Sequence, residues 1–131
     1  MNAMSATVQA LLGGSGITSL VGQKVEMINF PETQALPGIV VNQITNPDEQ
    51  LVGGEGQFPN AVVRITCLAR TKTEVLALGD AVISRLRGLS GTFASMAVTS
   101  FLKEETDETD SNETYDTYRR TLDYAVRYRA A

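Results

Sequence analysis

From Tyr118 to Tyr128 the chain alternates without a break. Tyr118, Arg120, Leu122, Tyr124, Val126 and Tyr128 share one face of an extended segment, and Arg119, Thr121, Asp123, Ala125, Arg127 and Arg129 share the other. A period of two held this long predicts a strand with a tyrosine-rich inner face whose hydroxyls reach the rim. The period changes between Thr71 and Gly88. Val75, Leu76, Gly79, Val82, Ile83 and Leu86 recur at helical spacing, Thr71 and Glu74 stand at capping-box spacing, and Gly88 closes the segment. Gly79 inside the stripe lets this helix approach a sheet closely. Val62–Arg70, directly before it, reads as a strand apolar on both sides, hence central or covered at an interface.

The remaining elements are shorter. Ser5 is placed to cap a first helix carrying Val8, Leu11 and Leu12, which Gly13, Gly14 and Gly16 terminate, with Ile17–Val21 adding a turn. Lys24–Phe30 predicts a first strand stopped by Pro31, and Pro37-Gly38 turns into a second over Ile39–Ile44. Residues 46–60 read as a long polar loop, Thr92–Leu102 as a fourth strand, and 103–115 as an acidic loop. The pattern predicts a single α+β domain spanning 1–131, with a mostly antiparallel sheet of about five strands and two helices packed against it.

Composition narrows the chemistry. Apolar residues make up 43% of the chain, enough for one core, and the formal charge of −4 disfavours a diffuse nucleic-acid binder. There is no His, so a Ser–His or Cys–His system is excluded within this chain. The one Cys, Cys67, sits mid-strand as an inert buried thiol. No apolar run reaches the roughly 20 residues that span a bilayer, and the N-terminus does not read as a signal peptide. Gly13-Gly-Ser-Gly16 lacks the preceding strand and following Lys of a phosphate loop. No cofactor or metal is expected. Glu104, Glu105, Asp107, Glu108, Asp110 and Glu113 crowd one segment. The chain's 15 acidic residues less these six leave nine, against 11 basic ones, so the net acidity lives there. Its spacing does not match an EF-hand. Arg119, Arg120, Arg127 and Arg129 suit ion pairing with that segment, within a subunit or across an interface. With Asp48 and Glu49 in the polar loop, these are the candidate interface or lumen residues.

The order of elements resembles the tail-completion, or tail-terminator, proteins of long-tailed bacteriophages and gene-transfer particles, over nearly the whole chain. Thr7–Leu12 with Ile17–Val25 is similar to that family's opening helix and strand entry, and Ala35–Val41 to its proline-led second strand. Val62–Leu86 is similar to its strand ending in Ala-Arg-Thr before the main helix, and Tyr115–Tyr128 to its closing strand with an Arg pair. Cys67-Leu68 departs from the aromatic residue that members often carry there. The resemblance implies a non-enzymatic virion protein at the tail–head junction, assembled in the bacterial cytoplasm. It implies a ring, hexameric in the family, that ends polymerisation of the tail tube protein and offers a surface to the head connector or neck protein. DNA would pass through unread, with Glu104–Glu113 placed at the lumen, and the subunit could be a monomer before assembly. Three rivals remain: a neck or head-closure protein of the same particle, a peptide-binding module acting by strand addition, and a small metal-dependent enzyme using the acidic run.

Overall fold

The computed structural model describes residues 3–22, 24–27, 37–44, 60–93, 96–112 and 117–130. Among the described residues three helices, α1 (Ala3–Leu12), α2 (Ser15–Val21) and α3 (Lys72–Leu86), accompany six strands. These are β1 (Val25–Met27), β2 (Gly38–Gln43), β3 (Asn60–Ala69), β4 (Gly91–Phe93), β5 (Met96–Asn112) and β6 (Thr117–Ala130). One sheet runs in the order β1-β2-β3-β6-β5-β4. Strands β1 and β2 pair in parallel and every other pair is antiparallel.

This is an α+β fold, but the expected five strands and two helices are overturned. The sheet is mixed, it has six strands among the described residues, and it curls into a half-barrel. Ile17–Val21, expected to add a turn to the first helix, belongs to a separate helix that begins at Ser15 and stops at Gly22, whose φ of 64° favours glycine. Thr92–Leu102 divides into β4 and the start of β5. Ser5 does not cap α1, which already starts at Ala3. The largest departure is the acidic stretch. Glu104, Glu105, Asp107, Glu108 and Asp110, read as loop over 103–115, lie in β5, which pairs with β6 as far as Asn112↔Thr117. From Asp107 to Asn112 a ladder to β6 satisfies the backbone, Glu104 and Glu105 fall in the register shift between Lys103 and Asp107, and arginines across the strand pair offset the low strand propensity of Asp and Glu.

The helices share one face of the sheet. The core joins Ala10, Leu11, Ile17 and Val21 to inward residues of β2, β3 and β6, among them Ile39, Val41, Ile65, Leu122 and Val126. Helix α3 opens as expected, with Thr71 Oγ1 accepting a hydrogen bond from the Glu74 amide at 3.1 Å. Its buried stripe is Val75, Leu78, Gly79, Val82 and Leu86, so Leu78 takes the inward place expected of Leu76, which is 37% exposed. Arg85 reaches back from α3 to donate to the Ala10 carbonyl at 2.8 Å. A Cβ on Gly13 or Gly14 would meet the Arg85 side chain at 2.8 or 2.7 Å. Those glycines therefore end α1 and also seat the arginine that caps it.

Candidate assembly interface

The acidic and arginine candidates meet on the β5–β6 hairpin, and strand parity decides which face each occupies. On the outer face Asp110 lies directly across from Arg119. The pair is bidentate at 3.1 and 2.8 Å, with side chains 54% and 58% exposed. An exposed pair of this kind contributes little to stability. On the same face Arg64 of β3 holds Asp123 of β6 through two hydrogen bonds of 2.9 and 3.2 Å, a pair absent from the sequence expectations.

Arg120 points the other way, under α3. Its residue is 8% exposed. Nε and Nη2 donate to the two Asp107 carboxylate oxygens at 2.8 Å each. Nη1 donates to the Leu76 carbonyl at 2.9 Å and to Asp80 Oδ1 at 3.0 Å. Gly79 makes room for it, because a Cβ there would stand 2.5 Å from Arg120 Cδ. The close approach expected at Gly79 is thus the approach of a guanidinium to the helix. Arg120 ties the acidic strand, the closing strand and α3 together, as a fork that only arginine can offer. Its charged form is reinforced, chiefly by the hydrogen bonds to Asp107, and Arg120 in turn holds the Asp107 carboxyl below its ordinary value.

That shift sets a pH dependence. The folded Asp107 titrates below the unfolded value of about 3.9, so its contribution is fully present above that pH and is lost as pH falls through the folded value. The difference in Tm between the native chain and Asp107→Asn is expected to be constant from pH 7 to about pH 5 and to shrink toward zero below about pH 4. A difference that grew in acid would remove Asp107 from the clasp.

The other candidates are placed less tightly. Glu104, Glu108 and Arg127 are exposed. Glu105 and Arg129 lie in β5 and β6. Asp48, Glu49 and Glu113 lie outside the described residues. Sequence reasoning missed Asp80 and the Leu76 carbonyl, which lie 40 and 44 residues from Arg120, and only their place on the α3 turn around Gly79 links them. Cys67 is buried, and burial pushes its thiol up to about 12, so it carries no thiolate at neutral pH. Among the described residues no group of three or more acidic or sulfur ligands could hold a metal ion.

The sequence model described as "Tail completion protein gp17" matches residues 5–129. The chain belongs to this tail-completion family. Membership makes it a structural protein of a bacteriophage-like virion. The fold is also similar to a chain of the structure titled "Virion of native gene transfer agent (GTA) particle". The TM-score is 0.73 at 16% identity, over 96% of this chain and 93% of the other. At that identity the likeness concerns the fold alone. No curated protein sequence matches the chain.

Proposed function

We propose that this tail-completion protein closes into a hexameric ring on the head-proximal end of a tail tube, ends tube growth there and presents the surface that joins the head connector. It acts by assembly and not by catalysis. The observation that carries the reading is the family match across residues 5–129. A cyclic ring repeats one heterologous contact, so each subunit must offer two different surfaces. The sheet order supplies them, with β1 at one margin and β4–β5 at the other among the described residues. Most paired charge of the hairpin is consumed within the subunit, by Arg120 with Asp107 and by Arg119 with Asp110. Glu104 and Glu108 remain exposed to meet a neighbour or to line a lumen through which DNA passes unread.

The test is light scattering with negative-stain imaging, alone and with polymerising tube protein of the same particle. A species of about six times the 14.1 kDa subunit, seen as rings, or monomers that cap tubes and halt their growth, is the expected result. Tubes that lengthen unchanged in excess protein would sink the proposal.

A further inference from the structure

A cleft of about 270 Å³ opens where α3 ends against β5. Its lining combines Ile83, Phe101, Leu102 and Tyr124 with two cations, Arg87 and Lys103. The two kinds of wall come from different places. Ile83 and Arg87 are one helical turn apart at the end of α3, where the Arg87 amide still bonds the Ile83 carbonyl at 3.1 Å. Phe101–Lys103 belong to β5 beyond Val98, the last residue β4 pairs with, so among the described residues no strand flanks β5 on that side. The cleft lies outside the Arg120 clasp and outside the acidic candidates.

Three features ask for a ligand. Ile83 of α3 and Phe101 of β5, which shares strand parity with Lys103, give the cleft an apolar wall. Neither Arg87 nor Lys103 makes an ion pair among the described residues, and the Lys103 ammonium bonds only the neighbouring Glu104 carbonyl, at 3.2 Å. Tyr124 is 2% exposed and its hydroxyl, itself buried, has no hydrogen-bond partner among the described residues. A buried donor left unpaired in a native fold calls for an acceptor. Burial pushes this phenol up to about 12 while Arg87, close enough to act on it, pulls the other way, so at neutral pH it stays protonated and can donate.

We propose that this cleft seats a carboxylate side chain, flanked by an apolar residue, from a partner polypeptide. The carboxylate would lie between Arg87 and Lys103 and accept from the Tyr124 hydroxyl, while the apolar neighbour covers Ile83. Charge-assisted bonds to the carboxylate and burial of Ile83 act together. The volume sits just below the usual small-ligand range, which suits one short side chain and its neighbour. A nucleic-acid phosphate fits less well. The apolar wall has nothing to contact on it, and the exposed Glu104 and Glu108 on the same strand repel a polyanion.

The probes are acetyl-Leu-Glu-amide, acetyl-Leu-Gln-amide and inorganic phosphate, followed through the methyl resonances of Ile83. The Glu peptide is expected to give saturable shifts below about 20 mM, with the Gln peptide at least about tenfold weaker. Arg87→Ala with Lys103→Ala, two exposed positions, should abolish the shifts without altering Tm by more than a few degrees. Tyr124→Phe should weaken the Glu peptide several-fold and leave Tm unchanged or higher, because the hydroxyl has no partner to lose. No saturable shift, equal binding of the Gln peptide, or phosphate matching the Glu peptide at these methyls would each overturn the proposal. So would a Tyr124→Phe variant that loses stability and keeps full affinity.

Discussion

Leu86→Asp is expected to give no cooperatively folded protein at neutral pH. Leu86 is fully buried on the inner stripe of α3 and belongs to the main core. Truncating such a leucine alone costs about 2–5 kcal/mol. The aspartate adds an unpaired carboxylate in an apolar site, where it must be desolvated or protonated, a further cost of several kcal/mol. Together these approach the roughly 5–15 kcal/mol that holds a domain of this class folded. Near-UV circular dichroism and amide dispersion should both collapse, while Leu86→Ala should stay folded with a reduced Tm. Native dispersion in the aspartate variant would show that this stripe faces solvent.

Gly79→Ala is expected to destabilise the protein, although alanine is the better helix residue by about 1 kcal/mol. The new methyl would stand 2.5 Å from Arg120 Cδ and 2.6 Å from Nη1, and would expel the guanidinium from its slot. Expulsion breaks the bonds to Asp107, Asp80 and the Leu76 carbonyl. Hydrogen bonds to charged groups are worth about 1.5–3 kcal/mol each. Asp80 is 73% exposed and contributes little, and Asp107 at 32% contributes less than a buried partner would. A net loss of about 2 kcal/mol remains, a Tm drop on the order of 5–10 °C. Arg120→Ala should cost at least as much. The decisive measurement is the double variant: once Arg120 is removed the slot is empty, so Gly79→Ala should change sign and stabilise. Additive losses would mean that the glycine and the arginine act independently.

The two elements with the clearest periodicity, α3 and β6, were legible because one face of each meets a continuous core. Thr71 announced the start of the helix, and the parity of Arg119 and Arg120 already put them on opposite faces. What was hidden depended on partners far away in the chain. Five acids in seven residues read as loop from intrinsic preference, and only the ladder to β6, with Arg119 and Arg120 waiting on it, makes them a strand. Leu78 and Leu76 differ by half a turn of helix, and the docking angle of α3 chose between them. The parallel pairing of β1 with β2 leaves no local mark, because register in a parallel pair is set across a long connection. In the candidate interface, Arg119 and Arg120 found their acids within the chain, while Asp80, Arg64 and the unpartnered Tyr124 hydroxyl carried no signal that spacing could reveal.

The position of β6 also governs how the molecule comes into being. It follows every other described strand in the chain, yet it lies between β3 and β5. During synthesis β1–β3 and β4–β5 therefore emerge as two separate half-sheets, each with an open edge facing the gap. The Leu122–Val126 part of the core and the Arg120 clasp arrive together, at the last moment. Sheets that wait for a distant strand fold slowly and expose edges meanwhile. A subunit built this way has no finished surface to offer a neighbour until its central strand is in place, and until then its two open edges are exposed to pairing with other chains.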